Sequence, residues 1–257
     1  MEQLGIIISP AKKMMRDTDD FQDVTRPLYL DDARIIRDYL RAMSYDELAV
    51  MWHASDRITK ASYHALQTMD LEHNLTPAIM AFQGLAYQYM APDLFTDHGL
   101  AYLQDHITIL SGFYGALRPF DGVAPYRLEL KAKIHVNGSR NLPDFWGAKL
   151  HDAAFRNGKV VLNVASAMFA RTVRRYLQPD EQLIDCVFGK LIDGRVVQRG
   201  TLAKMARGEM VRYLAENNVA HPEDAQQFQT RGYRYRPEFS SPTRYVFIQD
   251  EENYAKK

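Results

Sequence analysis

Leu4-Gly5-Ile6-Ile7-Ile8-Ser9-Pro10-Ala11-Lys12 decides how the chain is read. Its apolar run is short, rich in isoleucine and unbroken by polar side chains, the pattern of a strand buried on both faces of a sheet. Residues 107–111, with Thr108 the one polar interruption before Ser111, and 160–163 are similar runs, and 78–82 and 245–248 are further apolar stretches of strand length. Between them the spacing predicts helices over 31–43, with Ile35, Ile36, Tyr39 and Leu40 on one face, and over 44–54, 144–157, 168–176 and 201–217. Ser44-x-x-Glu47 is a capping box that starts the second of these. Asp193-Gly194, between two apolar stretches, is a type I′ hairpin signal. No Pro-, Gly- or Ser-rich linker divides the chain. The expectation is an α/β protein, with mixed α+β as its variant: a single domain over 1–257 with one mixed sheet surrounded by helices.

Three of the expected strands run into a small polar side chain, Ser9, Ser111 or Asn163. Open α/β sheets place ligands at the carboxyl ends of their strands. Parallel pairing would therefore gather Ser9, Ser111 and Asn163 at one edge, with Lys12, Arg118 and Ser166 from the following loops. Taken singly, such residues also just end strands, because Ser and Asn bond their own backbone in turns. The edge pocket is assigned Ser9, Ser111, Asn163 and Ser166. Candidates for a catalytic role are Lys12, which burial and Arg neighbours could turn into a base, Ser111, Glu129 and Asn163.

The stretch from Leu110 to Lys131 is the densest in chemistry. Gly112, Gly115 and Gly122 allow close backbone approach, and Pro119 and Pro125 fix the chain, so a rigid loop is expected to present Tyr114, Arg118, Asp121, Tyr126, Arg127 and Glu129. Arginine forks suit phosphate and tyrosine rings suit bases. Arg118 has an alternative role as an ion-pair partner of Asp121 or Glu129.

Net charge is zero, but its distribution is uneven. Residues 118–212 carry 17 Lys and Arg against 9 Asp and Glu, whereas residues 1–117 carry 9 against 16. Such blocks either neutralise each other across the surface or form a basic face for phosphates. On the 201–217 helix, Lys204 and Arg207 are three residues apart and are expected to grip adjacent phosphates. The single cysteine, Cys186, lies in an apolar run and is read as a structural thiol. The eight histidines show no Glu-x-x-His or His-x-x-x-His pairing, so neither a metal site nor a cofactor is expected. No apolar run approaches the roughly 18 residues of a membrane span, and the first residues lack a secretion signal, so the expected location is the cytoplasm, away from membranes.

Several motifs together resemble the YaaA family of bacterial peroxide-stress proteins. They are Ser9-Pro-Ala-Lys12, Ala81-Phe-x-Gly84-x-x-Tyr87, Leu110-Ser-Gly-x-Tyr-Gly-x-Leu-Arg-Pro-x-Asp121 and Pro125-Tyr-Arg-Leu-Glu129. Phe145-Trp146, Asn163-x-Ala-Ser166, Lys204-x-Ala-Arg-Gly-x-Met210 and Gly232-Tyr233 continue them in order. The resemblance implies the family's "cantaloupe" fold, a basic cleft, a helix-hairpin-helix element and a role in the peroxide stress response through duplex or branched DNA, in repair or recombination. Nucleic-acid contacts are then expected from Lys12, Tyr114, Arg118, Tyr126, Arg127, Lys204 and Arg207, in a chain taken as monomeric. The alternatives are an enzyme acting on a nucleotide or a flipped base at the strand ends, and a partner-binding module that limits iron-dependent damage.

Two departures from the family pattern stand out. The helix-hairpin-helix would fall within 44–66, around Ser55-Asp-Arg57, where this chain has Ser62 and Ala65-Leu66 in place of an Asn and an Arg-Phe pair. Lys60 is expected at its turn, which lacks the glycine that brings backbone amides to a phosphate. After Ser166 the family continues with an acidic residue or two and then Tyr, whereas this chain reads Ala167-Met168-Phe169, so a carboxylate is missing.

Overall fold

The computed structural model describes residues 3–16 and 24–250. Its centre is an eight-stranded sheet: β1 (Gly5–Ile8), β2 (Ile107–Ser111), β3 (Gly115–Leu117), β4 (Val160–Asn163), β5 (Gln182–Ile192), β6 (Arg195–Val197), β7 (Tyr233–Tyr235) and β8 (Arg244–Gln249). In space the order is β7-β8-β5-β4-β1-β2-β3, with β6 hairpinned onto β5. The pairs β2–β1, β1–β4, β4–β5 and β5–β8 are parallel, and the antiparallel β3 and β7 flank them. The chain is thus a mixed α/β fold.

The isoleucines of β1 are buried, as a strand in the middle of a parallel sheet requires. From β1 the chain moves to one side for β2 and crosses back to the other for β4, so the strand order reverses around β1. At such a point the loops leave the sheet in opposite directions and open a crevice at the carboxyl edge.

The main helices around the sheet are α1 (Leu30–Ala42), α2 (Tyr45–Trp52), α3 (Asp56–Gln67), α4 (Leu85–Met90), α5 (Asp97–His106), α6 (Lys149–Ala154), α7 (Ala167–Arg174) and α8 (Gly200–Glu216). Ser44 and Glu47 form the expected capping box at the start of α2. The β5–β6 turn has φ of 49° at Asp193 and 72° at Gly194, as a type I′ turn demands.

Two expectations fail. Residues 78–82 do not extend into a sheet strand: Pro77 starts a single helical turn, Ala78–Ala81, and only Phe82–Gln83 pair, with Lys13–Met14. The helix expected over 144–157 is broken at Gly147, whose φ of 53° turns the chain between Leu142–Trp146 and α6.

A buried histidine between two carboxylates ties α6 to the loop before β5. His151 Nδ1 lies 2.9 Å from Asp152 Oδ1 and its Nε2 lies 2.6 Å from Glu181 Oε2. Burial opposes a charged His151, but the two carboxylates outweigh it and its pKa is raised. Burial likewise pushes Glu181 up, and is outweighed by the Gln178 amide and His151, so its pKa is lowered. The raised histidine stabilises the fold fully below its unfolded pKa of about 6.5, and that contribution is lost as pH climbs through the folded value. The lowered glutamate contributes above its unfolded pKa of about 4.3 and is lost as pH falls further. Thermal stability should therefore peak between these limits. In His151→Gln the decline above pH 6.5 should flatten; an unchanged decline assigns it to other groups.

Candidate nucleic-acid interface

The parallel sheet does bring Ser9, Asn163 and Ser166 together. Ser9 Oγ accepts the Ser166 amide at 2.8 Å, and Tyr87 of α4 donates its hydroxyl to the Ser9 carbonyl at 3.0 Å. Asn163 Nδ2 donates to Asp185 Oδ1 at 2.7 Å while its Oδ1 accepts the Ala165 amide at 2.9 Å. Asp185 also takes Arg174 of α7 at 2.7 Å. Through these bonds the groups brace the carboxyl edge. Ser111 does not join them: it is buried, its Oγ accepts the amides of Phe113 and Tyr114, and it meets the Tyr126 hydroxyl at 2.7 Å. As placed, it has no lone pair or proton left for a substrate.

The loop from Ser111 to Tyr126, expected to present its side chains outward, instead faces mostly inward. Tyr114 is fully buried, with its hydroxyl accepting the Ala124 amide at 2.9 Å, so the stacking role expected of it is corrected to a core role. Gly115, at φ 74°, lets the Trp146 ring approach to 2.5 Å from where a Cβ would stand. Arg118 is corrected likewise. Its Nε and Nη2 donate to Asp121 at 3.0 and 2.8 Å, and Nη2 also donates to the Arg26 carbonyl, so the guanidinium is fixed within the protein. Tyr126 is half-buried and stacks on Phe113, with ring centres 4.9 Å apart. Glu129 forms ion pairs with Lys12 at 2.8 Å and Lys131 at 3.6 Å. Partial burial pushes Glu129 up, but the two lysines outweigh it and hold the carboxyl below its usual range. Lys12 is exposed, so the burial that a catalytic lysine base needs is missing.

The open concavity lies beside this loop, against the α2–α3 hairpin. The turn between these helices runs through His53, which adopts a left-handed conformation (φ 44°). Lys60, expected at the turn, lies inside α3 and pairs with Asp56 at 2.9 Å. Between α3 and the 125–127 stretch is a cavity of about 720 Å³. Four cations from three separate stretches line it, Lys12, Lys13, Arg57 and Arg127, and no aspartate or glutamate does. A neighbouring cavity of about 770 Å³ shares Trp52 and Arg127 but mixes Lys131 and Lys133 with Asp46, Glu47 and Glu129, so it has no comparable bias.

A second basic patch stands on α8. Lys204 is exposed, whereas Arg207 is half-buried; burial pulls its pKa down, with Cys186 and Asp185 opposing. The two do not present one flat grip as their spacing suggested. Cys186 is itself buried, which pushes its thiol to about 12. α8 packs on α4, whose Tyr87 holds Ser9.

Sequence reading missed Lys13 and Trp52 and named Arg57 only as part of the hairpin. The adjacency of Lys13 to Lys12 was a usable signal; nothing local marked the tryptophan. Among the described residues no group of three His, Cys, Asp or Glu is placed to hold a metal ion, and no helix is long and apolar enough to cross a membrane.

Residues 4–239 match the family model described as peroxide stress protein YaaA. A UPF0246 protein of Pediococcus pentosaceus is 47% identical over 248 residues, covering 96% of this chain and 99% of its own. UPF0246 proteins of Limosilactobacillus reuteri and Desulfitobacterium hafniense are 48% and 43% identical, each over 95% of this chain and 98% of their own.

Proposed function

The chain belongs to the YaaA family of peroxide stress proteins, and from that premise we propose that it acts in the stress response by binding DNA, duplex or branched, along the carboxyl edge of its sheet. The observation that carries this reading is the meeting of Lys12, Lys13, Arg57 and Arg127 around one concavity without a carboxylate in its wall. Cations held together at a cost in mutual repulsion imply a polyanionic partner that offsets it. The exposed Lys204 extends the basic surface, and the α2–α3 hairpin supplies one wall. Repair or recombination of oxidatively damaged DNA is the process such binding would serve.

The test is a binding titration by anisotropy on duplex and four-way-junction DNA across a salt series. Log affinity should fall against log salt by about 0.9 for each phosphate contacted, and Arg57→Ala should make the slope shallower by about one unit. Arg118→Ala, whose guanidinium is held by Asp121, should leave the slope as it is in whatever fraction remains folded. Affinity independent of salt, or no binding to either DNA at about 50 mM salt, removes the proposal.

A further inference from the structure

The cavity beside α3 has more structure than a phosphate track requires. Its rim is exposed and charged, with Lys12, Lys13 and Arg57 standing beside Ile58 and Ala61. Its floor is apolar and buried, built from Leu40, Trp52, Leu66, Met69 and Phe113. At about 720 Å³ it falls within the range of small-molecule sites, about 300–1,000 Å³, whereas a duplex can only lie across it.

Two side chains of its wall carry a further signature. Arg127 Nε and Trp52 Nε1 are both shut away from solvent, and neither has a hydrogen-bond partner. Buried donors are nearly always satisfied, and an unsatisfied one calls for an explanation. Both groups can only donate, and their side chains wall the neighbouring cavity as well, so a shift that opened either to this one would favour an occupant with acceptors. The charge of the rim asks for an anion as well: Lys12 is matched by Glu129 from outside the wall, while Lys13, Arg57 and Arg127 are in no ion pair among the described residues.

An occupant that joins negative charge, acceptor atoms and a flat apolar body is a nucleotide. We infer that this cavity receives a single unpaired nucleotide of a bound DNA strand, its base against the aromatic and aliphatic floor and its phosphate at the Lys13–Arg57 rim. The inference rests on the DNA-binding reading above and adds to it what the protein recognises: a base already out of the stack, which enters without the cost of breaking a pair. Inorganic phosphate would satisfy the rim but leave the floor empty, and an apolar ligand would leave the cations unmatched.

The experiment compares three short duplexes of one sequence: fully paired, carrying a one-nucleotide adenine bulge, and carrying an abasic bulge of the same backbone. Bulged adenine should bind at least about fivefold tighter than the abasic bulge, the low end of what stacking one base on aromatic side chains contributes. Ala61→Trp places an indole at the exposed rim and should bring the adenine bulge down to the abasic level. Equal affinity for the adenine and abasic bulges in the wild type, with salt-dependent binding of the paired duplex intact, overturns this inference and leaves DNA binding standing. Loss of binding to all three duplexes instead strikes the reading beneath it. Free deoxyadenosine monophosphate binding as tightly as the bulged duplex overturns it too, in favour of a soluble nucleotide.

Discussion

Gly208→Ala should destabilise the protein by about 3 kcal/mol, the upper end of what overpacking usually costs. On an exposed helix the same change would stabilise by about 1 kcal/mol, because glycine is the poorer helix former. The sign reverses here because of what faces the residue. A Cβ on Gly208 would stand 2.0 Å from the Ala86 carbonyl oxygen and 2.9 Å from the Met90 amide nitrogen. Both are backbone atoms of α4, so no rotamer change can relieve the clash, and α8 must move bodily away. That movement opens the contact made by the buried Ala206, Met210 and Val211, and it shifts Lys204 and Arg207 relative to Ser9. Gly200→Ala is the internal control: it sits in the first turn of the same helix with nothing within 4 Å of its Cβ position, and it should be neutral or slightly stabilising. Urea unfolding of the three proteins decides the matter. If Gly208→Ala unfolds at the wild-type midpoint, the close approach of α8 to α4 is not what the glycine serves.

How far the fold could be read from residues follows from where the information is local. β1, β2 and β4 announce themselves because a strand buried on both faces must be apolar throughout, and their small polar ends were enough to anticipate a shared edge. The capped start of α2 and the Asp193-Gly194 turn are likewise local chemistry. β5 was harder. It is the longest strand, but Asp185 and Gly189 interrupt its apolar pattern, and Asp185 belongs there only because Asn163 and Arg174 come to meet it. The 78–82 stretch misled because apolar runs of that length fit a strand and a buried helical turn equally well.

The site divides along the same line. That Lys12, Ser9, Asn163 and Ser166 would lie near one edge was legible; that Glu129 would take Lys12, Asp185 would take Asn163 and Ser9 would take the Ser166 amide was not, since these partners come from other parts of the chain. Tyr114 and Arg118 looked like ligands for DNA because motif-borne tyrosines and arginines often are. Burial, which periodicity cannot report in a loop, turned Tyr114 inward, and the buried Asp121 holds the half-exposed Arg118. The floor of the cavity illustrates the converse: Leu40, Trp52, Leu66 and Met69 cannot be told from ordinary core residues until a space is found above them.

Asp121→Ala should cost about 3 kcal/mol, near the lower bound for breaking a buried ion pair because the surviving Arg118 side chain is 40% exposed and can rehydrate. The carboxylate itself is sealed from water. It accepts four hydrogen bonds: the Thr25 hydroxyl at 2.7 Å, the Arg118 amide at 2.8 Å, and Arg118 Nε and Nη2 at 3.0 and 2.8 Å. Its removal strands all four donors at once, and the chain between β3 and Pro125 keeps only its two backbone hydrogen bonds to Thr25, from the Thr25 amide to Phe120 and from the Gly122 amide to Thr25. Asp121→Asn keeps the shape and one acceptor, so a loss of about 1–2 kcal/mol is expected there, the worth of charge-assisted over neutral bonds. The pair of variants also separates architecture from binding. If Arg118 and Asp121 act only as a clamp, both variants and Arg118→Ala lower the urea midpoint while the folded fraction keeps the wild-type salt slope on DNA. A stability change within about 0.5 kcal/mol together with a shallower slope would instead return Arg118 to the phosphate-binding surface.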